Sequence, residues 1–154
     1  MGMLVIVIVI VMYLGLFGFG FVSYAFNSYG LYGMAKRENE NTVMPWIPYI
    51  NKYTLGRIAF KSNVHAAIMV TLAVINVIIS MAIFFVARNL KLLYFLIILG
   101  FIISIILSVY CFVAHYRIYK KYSKSTVIMT VLDVLSLGLL GPFFIFAIKD
   151  NDEN

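Results

Sequence analysis

Charged residues are scarce in this chain of 154 residues: Asp, Glu, Lys and Arg together make up 12% of it, against about 25% in soluble domains. Apolar residues make up 64%, and the mean hydropathy is +1.01. This composition excludes a soluble globular enzyme, a coiled coil and a disordered tail. We therefore expect an integral membrane protein that forms a single membrane domain over residues 1–154.

Cysteine and histidine are almost absent as well. Cys111 is the one cysteine, which excludes an intramolecular disulfide framework and any CxxC redox or zinc motif. The two histidines, His65 and His115, are too far apart in sequence to indicate a metal-ligand cluster. The chain has no HExxH, GxSxG, phosphate-loop or GxGD motif. We predict from these absences that the protein is not an enzyme and has no catalytic, cofactor-binding or metal-binding residue.

Four apolar stretches are long enough to cross a membrane, which takes about 20 residues as a helix. They cover residues 3–26, 66–87, 92–114 and 126–148. In lipid, only helices and closed barrels satisfy every backbone polar group, and the alternating segments of a barrel are missing. The first stretch is longer than the core of a signal peptide and no Lys or Arg precedes it, so we expect it to be retained. The sequence thus predicts an all-α fold with four transmembrane helices.

Lys and Arg are distributed unevenly over the segments between these stretches. Nine lie in the segment 27–65 and in the basic loop 115–125, and three lie on the opposite side, at Arg88, Lys91 and Lys149. Cytoplasmic loops carry the excess of Lys and Arg in membrane proteins. We therefore predict a plasma-membrane protein with 27–65 and 115–125 in the cytoplasm. Both termini, including the short acidic tail 149–154, are then expected outside the cell.

The segment 27–65 carries aromatic and proline residues that are typical of a membrane surface, since Trp and Tyr rings favour headgroup depth. From Pro48 onward, Ile50, Tyr53, Thr54 and Ile58 follow a helical spacing, and proline suits the first turn of a helix. This pattern predicts a short interfacial helix between the first and second spans, which is either a connector or a docking surface or lid. The candidate interfacial anchors are Trp46, Pro48, Tyr49 and Tyr53.

Three runs in this segment carry a resemblance. The basic string Met34-Ala35-Lys36-Arg37 is followed by Trp46-Ile47-Pro48-Tyr49-Ile50-Asn51 and then by Tyr53-Thr54-Leu55-Gly56-Arg57-Ile58-Ala59. This order resembles the W-I-P-x-x-N-x-Y-x-L-G-K/R-I motif of uncharacterised small bacterial multi-pass membrane proteins. The later runs Tyr119-Lys120-Lys121-Tyr122 and Gly141-Pro142-Phe143-Phe144 are similar to the last loop and last span of that family. The resemblance implies a multi-pass protein of a bacterial plasma membrane, and it implies no activity.

The third predicted span carries small and polar residues on one helical face. They are spaced three or four residues apart, at Gly100, Ser104, Ser108, Cys111 and His115. Such a face lets two helices approach closely and form hydrogen bonds with each other. The alternative is a path for a solute.

Asp133 is the only acid within a predicted span. A charge at the centre of a membrane helix costs about 2.5–3.5 kcal/mol, so we expect Asp133 to face the interior of the bundle. Counted from the predicted cytoplasmic ends, Ser108 lies at the same depth and Asn76 lies within two or three residues of it. We therefore predict an intramembrane cluster of Asn76, Ser108 and Asp133, which either binds a proton or solute or fixes the helix register. Pro142 is expected to bend the fourth helix.

The basic loop mixes cations with tyrosines, as surfaces that bind single-stranded nucleic acid do. Because the loop adjoins two spans, its cations fit anionic lipid headgroups better, at about 1 kcal/mol each. We expect no nucleic acid as a partner. The candidate anionic-lipid contacts are Arg117, Lys120, Lys121 and Lys124.

Two functions from different classes fit these features. The first is a membrane interaction or accessory protein that binds another membrane protein or lipid, and the small-residue faces and the aromatic segment 27–65 favour it. The alternative is a small oligomeric transporter or channel with a polar intramembrane site around Asp133. The expected partners are anionic headgroups on the cytoplasmic side, together with a membrane-protein partner or a second copy of the chain.

Overall fold

The long apolar stretches form helices, and a computed structural model describes residues 2–86 and 89–152. The described residues form α1 (Gly2–Arg37), α2 (Asn51–Phe60), α3 (Asn63–Phe85), α4 (Leu90–Tyr122), α5 (Thr126–Leu135) and α6 (Gly141–Ile148), with a short 3-10 helix at Met44–Trp46 and no strand. The all-helical fold class is thus confirmed. By length and composition, α1, α3 and α4 can each cross a membrane. This is consistent with a membrane protein.

Helices α1 and α4 continue past the apolar stretches that predicted them. Helix α1 runs on from residue 26 to Arg37, and α4 runs on from residue 114 to Tyr122, which adds at least two turns to each. These added turns carry Lys, Arg and Asn among apolar residues, so hydropathy alone ends the stretch too early. Packing keeps them helical, because Leu31, Met34 and Tyr119 are fully buried there.

The buried core lies where the last turns of α1 and α4 meet α2, the start of α3 and α6; we call this region the packed end. Its buried side chains are apolar or aromatic: Leu31, Met34, Ala35, Leu55, Ile58, Met69, Ala114, Ile118, Tyr119, Tyr122, Ile145 and Ile148. In contrast, every side chain of α1 from Val5 to Val22 is exposed. Helix α1 therefore begins alone and ends inside the bundle.

The segment 126–148 was predicted as one span, and that prediction is wrong. Helix α5 ends in a Schellman motif, in which the N–H of Gly138 donates to the carbonyl of Asp133 over 2.8 Å. Both Leu137 (φ 54°) and Gly138 (φ 85°) have positive φ, which turns the chain instead of bending a helix. Pro142 then lies in the first turn of α6, where its missing N–H leaves no hydrogen bond unmade.

Helices α5 and α6 form a hairpin whose two ends return to the packed end. Their 10 and 8 residues are each too short to cross a hydrocarbon core of about 30 Å. At the start of α5, the hydroxyl of Thr126 donates to the carbonyl of Tyr119 over 3.1 Å. After α6, the amide of Asn151 donates to the carbonyl of Tyr122 over 3.0 Å. Both ends of the segment thus lie beside the end of α4, and not on opposite sides as the single span required.

A glycine lets α6 lie directly against α1. A Cβ at Gly30 would lie 2.8 Å from the backbone nitrogen of Phe146 and 2.9 Å from Cγ2 of Ile145. Nearby, the rings of Phe26 and Phe146 pack edge to face with centroids 4.7 Å apart. Since α6 also contacts α4, the hairpin is held between two long helices.

Glu38, which follows α1, joins three elements of the packed end. Its carboxylate accepts hydrogen bonds from Lys121 and Tyr122 at the end of α4, and it lies 3.7 Å from Nζ of Lys61, after α2. Burial alone would raise the pKa of Glu38, but these donors and cations outweigh it and hold the pKa below its ordinary value. The ionised carboxylate therefore stabilises the folded protein above its ordinary pKa. That stability is lost as the pH falls through the lowered pKa.

Candidate functional site

Asp133 faces α4 and is 1% exposed, so it faces the interior as predicted. Its Oδ2 is hydrogen-bonded to Nδ1 of His115 over 2.7 Å and accepts a hydrogen bond from the hydroxyl of Tyr119 over 3.1 Å. His115 and Tyr119 are four residues apart in α4 and therefore share one face of that helix. We call these three residues the Asp133 triad.

The start of α6 lies directly over the Asp133 triad. A Cβ at Gly141 would lie 2.5 Å from Cε1 and 2.7 Å from Nδ1 of His115, and 2.9 Å from Oδ1 of Asp133. Only glycine fits there without moving the ring or the helix. The carboxylate oxygen Oδ1 has no hydrogen-bond partner in residues 2–86 and 89–152. It lies at the N-terminal end of α6, where the helix dipole favours negative charge.

A cavity of about 250 Å³ lies beside His115. The Nδ1 of this ring bonds to Asp133, whereas Nε2 makes no hydrogen bond within the described residues. The remaining wall of the cavity comes from α1, α2, α4 and the turn of the hairpin. It includes Asn27, Lys52, Ser108, Cys111, Phe112, Gly138 and Pro142. Such a space is large enough for several water molecules.

The predicted hydrogen bonds within the cluster of Asn76, Ser108 and Asp133 are not found in the described part of the chain. The amide of Asn76 in α3 donates instead to Oγ of Ser104 over 2.6 Å, with a longer contact of 3.4 Å to the carbonyl of Gly100. These contacts use the polar face of α4 for helix packing. Farther along the same face, Ser108 lines the cavity.

This difference has a geometric cause. The predicted depths are measured from residue 114, the predicted end of the third span. Because α4 continues to Tyr122 and α5 begins beside that end, Asp133 reaches the level of His115 and stops short of Ser108. The correction amounts to about two helical turns.

The structure adds Tyr119, Asn27 and Lys52 to the residues of the site. The sequence contains a signal that could have indicated Tyr119, since this residue lies one turn beyond His115 on the polar face of α4. Lys52 and Asn27 had none, because only the packing of α2 and α1 against α4 brings them to the cavity.

The predicted interfacial anchors lie around α2. Trp46 is 45% exposed, and its carbonyl accepts a hydrogen bond from the hydroxyl of Tyr24 over 2.7 Å. Pro48 and Tyr49 are exposed, and the hydroxyl of Tyr53 donates to the side chain of the first residue of α3. A helix therefore forms where one was predicted, and its depth in a membrane stays a prediction.

Two of the four predicted lipid contacts have partners within the chain. The guanidinium of Arg117 lies over the ring of Phe60, 4.6 Å from its centroid, and Lys121 bonds to Glu38. Lys120 and Lys124 are exposed. Contact of these cations with anionic lipid stays a prediction.

The fold and the site define an all-helical protein with three helices that can span a membrane and a buried acid held by a helical hairpin. No protein-family model, curated protein or solved structure matches this chain. The resemblance to small bacterial membrane proteins stays a prediction.

Proposed function

We propose that this protein is a small plasma-membrane transporter or channel that moves protons, with Asp133 and His115 as its proton-binding pair. The observation that carries the proposal is the buried hydrogen bond between these two side chains, beside a cavity that Asn27, Lys52 and Ser108 help to line. Ionisable residues within membrane helices are costly and commonly mark ion pathways or proton relays. The ring of His115 can accept a proton at Nε2, which lies beside the cavity and makes no hydrogen bond within the described residues.

The proton path follows the hydrogen bonds of the triad. A proton from water in the cavity binds Nε2 of His115, and the proton on Nδ1 passes to Oδ2 of Asp133. The hydroxyl of Tyr119 donates to the same oxygen and positions the carboxylate. The carboxyl returns its proton to Nδ1 of His115 by the reverse step, and Nε2 then releases a proton to water, so the pair binds and releases one proton. The turn of the hairpin supports this reading, because broken helices near polar side chains are a common arrangement in transporters.

In the proposed topology, α1, α3 and α4 cross a plasma membrane and the hairpin enters it from the cytoplasmic side. With Lys149 at the packed end, ten of the twelve Lys and Arg residues lie on that side. The excess of cations supports a cytoplasmic packed end, with α2 on the membrane surface. The C-terminal tail is then cytoplasmic, and the N-terminus is outside.

The proposal predicts proton flux by the purified chain. In lipid vesicles loaded with a pH-sensitive dye, a potassium diffusion potential should acidify the lumen faster than in protein-free vesicles. Asp133→Asn should reduce the rate to that of protein-free vesicles, because an amide keeps the size of the side chain but does not take up or release a proton as a carboxylate does. The matched control is Asp150→Asn, which removes an exposed carboxylate and should leave the flux unchanged. Equal flux in wild type and Asp133→Asn would contradict the proposal.

The second candidate is an accessory protein that binds another membrane protein or lipid. Helix α1 favours it, because its side chains are exposed from Val5 to Val22 and because a Cβ at Gly15, Gly18 or Gly20 would meet nothing within 4 Å. Small residues of this kind let helices approach each other closely in a membrane. An accessory protein predicts no flux in vesicles that contain this chain alone, so the flux measurement separates the two candidates.

A further inference from the structure

A second cavity of about 370 Å³ adjoins the one beside His115. Asn27, Lys52 and Pro142 line both, so the two form one groove between α1, α2 and the turn of the hairpin. Tyr24 and Tyr49 line its outer part. We call this space the Lys52 groove.

The charge in the Lys52 groove is positive. Lys52 is the only Lys, Arg, Asp or Glu among the described residues that line it. Lys52 is partly buried, and its ammonium makes no hydrogen bond or ion pair within residues 2–86 and 89–152. A partly buried cation without a counter-charge is unfavourable unless an anion joins it.

Asn27 is the second indication of a ligand. It is 8% exposed, and its side-chain amide makes no hydrogen bond with the described residues. Because Asn27 lines both cavities, its amide is available to a ligand in the groove.

We propose that the Lys52 groove binds one oxyanion of the phosphate class. Lys52 supplies the charge, and the amide of Asn27 donates a hydrogen bond. The phosphate comes either from a lipid headgroup or from the free ion. This inference rests on the proposed function in that it names the ligand class of the same cavity.

The test measures binding in two arms. Native mass spectrometry of the purified full chain compares dioleoylphosphatidylglycerol with dioleoylglycerol, which has the same tails and no phosphate. Titration with inorganic phosphate, followed by ³¹P NMR, tests the free ion. We expect saturable binding in one of the two arms. Lys52→Met should weaken that binding by about tenfold or more, which corresponds to the loss of one hydrogen bond to a charged group. Lys36→Met, which removes an exposed lysine of α1, should leave it unchanged.

Each result of these measurements either supports or overturns the inference. Loss of phosphatidylglycerol binding in Lys52→Met identifies a lipid headgroup, and loss of inorganic phosphate binding identifies the free ion. Binding in neither arm, or equal binding by wild type and Lys52→Met, overturns the inference. An Asn27→Leu variant whose melting temperature is unchanged should bind the same ligand more weakly. Proton flux without phosphate binding overturns this inference alone, and phosphate binding without flux overturns the proposed function alone.

Discussion

Asp133→Leu is expected to destabilise the folded protein by roughly 2–6 kcal/mol, because it leaves two buried polar groups without an acceptor at about 1–3 kcal/mol each. These are Nδ1 of His115 and the hydroxyl of Tyr119. Asp133→Asn retains an acceptor oxygen and should cost about 1 kcal/mol. Unfolding in mixed detergent micelles, followed by circular dichroism, measures both values.

The matched control is Asp150→Leu, which changes an exposed aspartate after α6. Its effect on stability should stay within about 0.5 kcal/mol. If Asp133→Leu were as stable as this control, the triad would not hold α5 against α4, and the account of the hairpin would fail.

Gly141→Ala is expected to destabilise the protein by about 1–3 kcal/mol, the usual cost of overpacking. The new methyl group would lie 2.5 Å from Cε1 of His115, so either the ring or the start of α6 must move. Thermal unfolding of the purified chain measures the loss, and a shift in the His115 NMR resonances would report the movement of the ring.

Gly15→Ala is the control with the opposite expected sign. A Cβ there meets nothing within 4 Å, and alanine is favoured over glycine inside a helix by up to about 1 kcal/mol. The two substitutions add the same methyl group, so equal effects would show that the contact at Gly141 is not as close as described.

Much of the fold follows from hydropathy, since long apolar stretches in lipid have few alternatives to a helix. The segment 126–148 is as apolar as the others, so hydropathy does not distinguish a spanning helix from a hairpin. Pro142 was the local signal, and it indicated a bend. Nothing in the composition predicts the left-handed backbone of Leu137, because residues with a Cβ rarely adopt it.

One feature of the site could be predicted from the energetic cost of a charge in a membrane. The cost of a buried charge predicted that Asp133 faces the interior, and the structure places it there. Which residue pairs with Asp133 depends on how far α4 extends, and packing at the packed end determines that length. Lys52 and Asn27 come from other helices, so only the tertiary structure brings them to the same groove.

The hairpin is the central claim, because it places Asp133 against His115 and both ends of the segment 126–148 on one side. Single-cysteine variants Lys124→Cys and Asn151→Cys, in a Cys111→Ser background, test it with a membrane-impermeant maleimide. Both positions are exposed. We predict that the reagent labels neither variant in intact cells and labels both in inside-out vesicles. Labelling of the two positions from opposite sides would contradict the hairpin and restore a single helix across the membrane.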